Sequence, residues 1–454
     1  MLKRRGVSSV SEIWTHTTLL SSFLVANSFI WYFVILTALQ NSVENVLPVD
    51  QVWIWVIHFS ALIISAVVGA SIAGRIGRNR ILASWIVLSV FGSFALFLLG
   101  GSNAQTIGLA GLILGAIFGF GMPSCMSLFS DSAPIERRGR VSGITILITG
   151  IGLLAFSYAD LGEGPLLVAV MAIWRLTSVA IFFLVKSSIR TQVSTQIRSY
   201  REIVFQKSFL LYLVPWLMFS LVNYITAPMV ASGASIDRDV MIVQAGLMGV
   251  FGVLGGFLID TLGRKKVAIA GFVLLGIGTA ILAINPTDTT SPTRLFYSYF
   301  NAAVDGIAWG FLLVLFILTL WGDLSDGSKS EKYYALGVAP FFISKLLETT
   351  VGQDLANSIS GNEYAFFSFT TFFLLIAILP LVYAPETLPE KVMKDRDLKS
   401  YVEKAKKKLQ KESEKTPGTE ATLQSENDKK EKETLPAQND GEYEEAQKLA
   451  EKYY

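Results

Sequence analysis

Long apolar runs, separated by short polar segments, occupy the chain from about residue 17 to residue 384. A helix needs about 20 mainly apolar residues to cross the hydrocarbon core of a bilayer, and in lipid a helix satisfies all of its own backbone groups. The runs therefore predict about twelve transmembrane helices. They lie near residues 17–40, 51–73, 81–100, 106–130, 141–160, 165–186, 208–231, 239–259, 267–285, 294–321, 333–356 and 363–384.

A polar stretch between the sixth and seventh runs divides the helices into two sets of six. We expect an N-terminal six-helix bundle over 1–186, a cytoplasmic linker over 187–207 and a C-terminal six-helix bundle over 208–385. Residues 386–454 are crowded with Lys and Glu, so they predict a charged tail, helical at first and disordered beyond Thr416. The predicted fold class is an all-α polytopic membrane protein.

The loops carry basic residues in alternation, which indicates the orientation of the helices. One set of loops is rich in Lys and Arg, whereas the opposite set offers Arg238 and Arg294. The basic set comprises Lys3, Arg4, Arg5, Arg75, Arg78, Arg80, Arg137, Arg138, Arg140, Lys186, Arg190, Arg198, Arg201, Lys207, Arg264, Lys265, Lys266, Lys329 and Lys332. Both termini are therefore predicted to be cytoplasmic, in a multi-pass protein of the cell membrane.

Similar turns follow the second helix of each set. Gly77 and Arg78 follow the second run, and Gly263 and Arg264 follow the eighth. The matching offsets predict two related, pseudo-symmetric bundles, an arrangement found in transporters built from parallel repeats.

The composition narrows the classes of function. Only 16% of the residues are charged and 52% are hydrophobic, whereas a soluble domain carries about 25% charged residues. The net charge of +2 is too small to create the positive electrostatic field with which proteins attract nucleic acid. A single cysteine, Cys125, and two histidines exclude a disulfide framework and a metal centre built on Cys and His. Because no nucleophile–base pattern or phosphate-binding loop is visible, we expect neither an enzyme nor a cofactor.

The segment from Gly256 to Lys266 resembles the signature loop of the major facilitator superfamily. The resemblance implies twelve helices in two six-helix bundles, with this loop latching a cytoplasmic gate through Asp260, Gly263 and Arg264. A second basic loop, between helices four and five, is similar to its counterpart in the family. It adds Glu136, Arg137 and Arg140 as gating residues. The segment from Ala384 to Pro389 is similar to the end signal of the sugar porter branch.

The first half departs from the signature. It keeps Gly77 and Arg78 as gating residues, but Gly74 stands where the family has an acid. A latch built on that carboxylate cannot form there. We expect either an asymmetric gate or a pairing of the first-half arginines with other acids, such as Asp131 or Glu136.

Charged residues at mid-depth mark the candidate site, because a charge in the membrane is costly and needs a reason. Asp305 lies near the middle of helix ten, with Asn301 and Trp309 four residues away on either side. Helix eleven carries Lys345 and Glu348 at a similar depth. The resemblance implies a central cavity at which these three charges meet. The alternative is a static ion pair between helices ten and eleven.

Polar residues on helices one and seven are further candidates for contact with a substrate. They are Asn27, Trp31, Asn223 and Tyr224. Hydrogen bonds between packed helices are an equal alternative for them. For Arg175 and His58, structural pairing and simple packing are favoured over substrate binding.

These features together predict a secondary transporter that moves a small polar solute, a sugar being favoured, by alternating access with protons as the coupling ion. Its partners would be the solute and the bilayer, and the chain would be a monomer. Alternatives within this fold are transport of organic cations, including drugs, or of carboxylates. A sensor or scaffold without transport is the alternative from another class.

Overall fold

The computed structural model describes residues 15–100, 103–159, 161–162, 164–188, 197–232, 238–284, 292–359 and 361–389. Every predicted run coincides with a helix in these ranges. The helices are α1 His16–Glu44, α2 Pro48–Ile76, α3 Arg78–Ser93, α4 Ala104–Ser132, α5 Arg138–Tyr158, α6 Pro165–Ser188, α7 Lys207–Ser232, α8 Arg238–Leu262, α9 Arg264–Ile284, α10 Pro292–Leu313, α11 Glu331–Leu347 and α12 Glu363–Ile376.

Several of these helices continue into segments with 3₁₀ or π-helical hydrogen bonding. A 3₁₀ helix follows α3, and π-helical turns extend α10 and α11 into further short helices. These segments are Phe94–Gly100, Val314–Thr319, Leu320–Leu324, Glu348–Gly352 and Gln353–Ile359, with Ile378–Tyr383 after α12 and Tyr200–Val204 in the linker. In the described part of the chain, 10 helices are long and apolar enough to span a membrane. The other two runs are α3, which has only 16 residues before its 3₁₀ extension, and α11, which with its π-helical turn carries Glu331, Lys332, Lys345 and Glu348.

The turns after α2 and α8 have the same geometry. Gly77 has a φ of 98° and Gly263 a φ of 103°, and each is the single residue between two helices. Only glycine adopts these angles without strain, so the sequence fixes both turns locally. This equivalence matches the relation between the two halves that the sequence predicted.

Glycines allow α4 to pack closely along α2. A Cβ atom on Gly115 would lie 2.3 Å from the carbonyl oxygen of His58, and one on Gly119 would lie 2.1 Å from that of Leu62. No larger residue fits at either position. The glycines of helix four therefore serve helix packing, as in small-residue interfaces of membrane proteins.

The two halves meet along two helix pairs. Helix α5 of the first half packs against α8 of the second, and α2 packs against α11. One compact unit extends to Pro389, and residues 390–454 lie outside the described residues. The proposed tail and the exact bundle boundaries therefore stay predictions.

Candidate functional site

A carboxylate from the second half caps a helix of the first half. The two oxygens of Asp260 each accept a backbone N–H from the first turn of α5, Gly139 at 2.9 Å and Arg140 at 2.9 Å. The first N–H groups of a helix lack partners within the helix and carry partial positive charge, so a carboxylate stabilises them. The contact joins the halves at the end of the molecule that carries the basic loops, which we call the basic end.

A second buried carboxylate, Asp323, joins two arginines at the basic end. It accepts a hydrogen bond from Arg138, and the Nε of Arg264 donates to its other oxygen at 2.8 Å. The Asp323 side chain is fully buried. The sequence-based prediction missed this residue, although an acid at the end of a span between basic loops is a usable signal, because a buried acid needs a cation.

Glu386, in the segment similar to the sugar porter end signal, caps α9. Its carboxylate accepts the N–H of Arg264 at 2.8 Å and that of Lys265 at 3.2 Å. In the sequence, Glu386 was recognisable only as part of a motif, and no role was predicted for it. The cap holds Arg264 in position to reach Asp323.

The first half replaces the missing acid with two other contacts. Arg78 pairs with Asp131 at 2.5 Å, as expected, and with Glu331 of the second half at 2.7 Å. The ammonium group of Lys329 donates to the carbonyl oxygen of Gly74 at 3.1 Å. Glu331 was not foreseen as a partner. The first half therefore also closes against the second without a carboxylate at position 74.

The remaining gating candidates lie on the loop before α5. Arg140 is near Asp260, with 3.7 Å between its Nε and a carboxylate oxygen, whereas Arg137 is half-buried. Glu136 is exposed and forms no ion pair within the described residues. Of the two acids considered for Arg78, the structure therefore brings only Asp131 to it.

Helices α5 and α8 touch at the basic end and separate away from it. A Cβ atom on Gly256 would lie 2.2 Å from the carbonyl oxygen of Gly139. Further along, a Cβ atom on Gly249 would still be 3.4 Å from Leu147, but Gly150 and Gly246 have nothing within 4 Å. Helices α5 and α8 are thus in close contact at the basic end and lie further apart beyond it.

Asp305 is bound to a neighbouring helix of its own half. Its carboxylate accepts a hydrogen bond of 2.5 Å from the side-chain amide of Gln244 on α8. Gln244 was not among the predicted residues, because nothing in the sequence shows which helix Asp305 faces. No ion pair involves Asp305 within the described residues.

The residues four positions on either side of Asp305 face different helices. The Trp309 ring packs edge-on against Phe219 of α7, with centroids 4.9 Å apart. The side-chain oxygen of Asn301 lies 3.3 Å from where a Cβ atom on Gly278 of α9 would be. The polar face of α10 therefore contacts three helices of the second half.

Lys345 and Glu348 pair with each other rather than with Asp305. The ammonium nitrogen lies 2.7 Å from a Glu348 oxygen, within a single turn of α11 where the π-helical segment begins. Among the described residues, no hydrogen bond or ion pair joins either side chain to Asp305. The expected meeting of three charges is not a direct contact in this structure.

The candidates on α1 face the interior of the first half. The amide nitrogen of Asn27 donates to the Trp174 carbonyl oxygen at 3.0 Å, and Trp31 donates to Ser93 at 2.9 Å. Asn27 also accepts from Arg175. These contacts are helix–helix hydrogen bonds, the alternative that the sequence left open.

The candidates on α7 are Asn223 and Tyr224, both half-buried. The carbonyl oxygen of Tyr224 would lie 2.7 Å from a Cβ atom on Gly352, so α7 approaches the π-helical turn of α11 closely at this level.

His58 of α2 is packed, with its Nδ1 2.8 Å from the Gly111 carbonyl and its Nε2 3.1 Å from the Tyr32 hydroxyl.

The model of the Major Facilitator Superfamily matches residues 2–157. A glucose transporter, GlcP of Staphylococcus epidermidis, is 30% identical over 111 residues, which are 22% of this chain and 24% of the relative. The match thus spans about a quarter of that relative's length.

Two solved structures share the fold over most of the chain. The proton:xylose symporter XylE, bound to 6-bromo-6-deoxy-D-glucose, has a TM-score of 0.62 at 15% identity and covers 83% of this chain and 97% of its own. A bacterial homologue of the iron transporter ferroportin, in an outward-facing state, has a TM-score of 0.62 at 16% identity, with coverages of 81% and 98%.

Proposed function

From the premise that this chain has the major facilitator fold, we propose that it transports a small polar solute across a membrane by alternating access. The closed basic end and the divergence of α5 from α8 beyond Leu147 carry the proposal. A transporter of this type opens to one side at a time, as one bundle moves against the other around a central site. If the basic loops are cytoplasmic, as we propose, the separation of α5 from α8 would lie toward the outer side of the membrane.

The substrate class we favour is a sugar or a similar neutral solute. Support comes from relatives named as a glucose transporter and a proton:xylose symporter. The polar positions on α10, with Asn301 and Trp309 beside Asp305, offer hydrogen bonds and an aromatic surface of the kind that a sugar needs. The carboxylate of Asp305, which accepts a hydrogen bond from the neutral Gln244, is the proposed site of proton coupling.

An organic cation is the second candidate. Because no basic side chain pairs with Asp305 within the described residues, its carboxylate is available to a positive charge on a substrate. A carboxylate substrate is less favoured, since Lys345 is already paired with Glu348.

Uptake into proteoliposomes tests these proposals. Sugars, organic cations and carboxylates are offered separately, with and without an imposed proton gradient. We expect concentrative sugar uptake that follows the proton gradient. Asp305→Asn should lose the dependence on the gradient while it retains downhill exchange of the sugar. If the substrate is a cation, Asp305→Asn should instead lose binding and exchange together.

Asp239→Asn is the matched control, because Asp239 is an exposed acid in the first turn of α8. It should behave as the wild type. If a folded protein moves no compound of any class, the transport proposal fails and a sensor or scaffold is favoured.

A further inference from the structure

The linker between the two halves contacts helix α2 of the first half. The hydroxyl of Tyr200 donates to the Val67 carbonyl oxygen at 2.6 Å and lies 3.3 Å from the Ser71 hydroxyl. Ile197 packs against α2 at the position where the signature acid is missing, since a Cβ atom on Gly74 would lie 3.7 Å from its side chain. This part of the linker therefore lies on the basic end of α2.

The same part of the linker contacts helix α11 of the second half. The ammonium group of Lys332 donates to the Arg198 carbonyl oxygen at 3.0 Å and lies 4.9 Å from the centroid of the Tyr200 ring. The guanidinium of Arg198 donates to the Tyr333 hydroxyl at 2.8 Å, and that hydroxyl donates to the side-chain oxygen of Gln206 at 2.8 Å. The linker is therefore bound to α2 and α11 at once.

A capping box orders the turn that makes these contacts. The Ser199 hydroxyl accepts the N–H of Glu202 at 3.2 Å, and the Glu202 carboxylate accepts the N–H of Ser199 at 3.1 Å. Arg198 and Tyr200 lie on either side of Ser199, so the contacts with the two halves come from residues two positions apart.

This spacing makes the linker sensitive to the separation of α2 from α11. Residues 198 and 200 are joined by at most about 7 Å of backbone, so they cannot stay bound to both helices when the helices move apart. Opening of the basic end therefore breaks one set of contacts, and both sets stabilise the closed conformer.

We propose that residues 197–206 form a clamp on α2 and α11, which takes the place of the carboxylate missing at position 74. The location of Ile197 beside Gly74 supports this substitution, because the clamp binds the first half at the very turn of α2 that lacks the acid. This role rests on the proposed function, since a clamp acts only if the halves separate at this end.

The test measures opening of the basic end in the purified full-length protein. Ser330→Cys in a Cys125→Ser background reports opening, because Ser330 is buried and its hydroxyl lies 2.6 Å from that of Ser127 on α4. Tyr200→Phe removes the hydroxyl that binds α2, and Tyr333→Phe removes the hydroxyl that binds the linker. Each should raise the rate of maleimide labelling about 2- to 10-fold, which is the effect of one neutral hydrogen bond on an equilibrium.

Tyr32→Phe is the matched control, because the Tyr32 hydroxyl contacts His58 within the first half. It should leave the labelling rate unchanged, and an equal rise there would overturn the clamp. Asp260→Asn weakens a contact outside the linker and shows whether the basic end opens at all. Faster labelling in Asp260→Asn without a rise in both Tyr200→Phe and Tyr333→Phe would overturn the clamp alone. No increase in any variant would overturn the clamp and the proposed function together.

Discussion

Two buried carboxylates hold the basic end closed, and each acts on partners far away in the sequence. Asp260 binds the first turn of α5 through both of its oxygens, so it needs both the charge and the two acceptors. Asp323 lies between Arg138 and Arg264, and its removal would leave two buried cations with one fewer counter-charge. The two acids should therefore differ in what their loss does.

Replacing Asp260 with Asn should favour opening of the basic end. Asparagine keeps one acceptor and loses the charge, and a hydrogen bond to a charged group contributes about 1.5–3 kcal/mol. The conformational equilibrium should shift about 10- to 100-fold. The measurement is the labelling rate of Ser142→Cys, which is buried beside Thr319 when the basic end is closed, in a Cys125→Ser background. Unchanged labelling in Asp260→Asn would contradict the role of this cap.

Replacing Asp323 with Asn should mainly reduce stability. Breaking a buried ion pair by removal of one partner costs about 3–5 kcal/mol. Thermal unfolding of the purified variant should show a clearly lower midpoint. Asp326→Asn is the control, because Asp326 is exposed and has a φ of 45°, a conformation that asparagine also tolerates. Equal unfolding midpoints for the two variants would contradict the contribution of Asp323 to the stability of the protein.

At the scale of elements, glycines set how far α5 and α8 stay in contact. The paired glycines Gly139 and Gly256 bring the two backbones together at the basic end, whereas Gly246 of α8 faces open space. The π-helical turn after α10 adds a side-chain contact in this region, since the Thr319 hydroxyl donates to Ser142 of α5 at 3.1 Å. At Gly139 and Gly256 the interface depends on the close approach of the α5 and α8 backbones, which a side chain added at either position would disturb.

Gly256→Ala should separate α5 from α8 at the basic end. Its Cβ atom would lie 2.2 Å from a backbone oxygen, a contact that only a shift of a helix can relieve. We expect faster labelling of Ser142→Cys, as in the Asp260 variant. Gly246→Ala should leave labelling unchanged and stabilise the helix by up to about 1 kcal/mol. Similar labelling in both alanine variants would show that close approach does not control the gate.

At the scale of the whole molecule, the two halves share a turn geometry but close by different chemistry. The second half uses Asp260, whereas the first uses Arg78 with Glu331 and Lys329 with the Gly74 carbonyl. The compact unit ends at Pro389, three residues after Glu386, which caps α9. The closing contacts found among the described residues therefore lie before the tail.

Truncation after Asp395 should leave transport unaffected. The closing contacts described above and the candidate site precede this position, and the polar composition of the tail does not favour a packed core. Initial uptake rates of the truncated and full-length proteins in proteoliposomes should agree when corrected for the amount of protein. A loss of flux in a folded truncated protein would favour a regulatory role for the tail.

The sequence alone determined the helices, the membrane class and the two tight turns. Hydrophobic runs of sufficient length force helices in lipid, and only glycine suits the turns at positions 77 and 263. These are local requirements, which neighbouring residues decide. The resemblance to the major facilitator superfamily is confirmed by the family model and the shared fold.

Only the tertiary structure decided which polar groups meet. Asn27 and Trp31 form hydrogen bonds inside the first half, and Asp305 accepts one from Gln244. Lys345 pairs with Glu348, one helical turn away. The central roles of Asp323 and Glu386 were equally hidden. Each outcome depends on the rotation of a helix about its axis and on a neighbour that is in most cases more than fifty residues away. Hydrophobic patterning is weak in helices that lipid and protein surround with similar apolarity, so it does not fix that rotation.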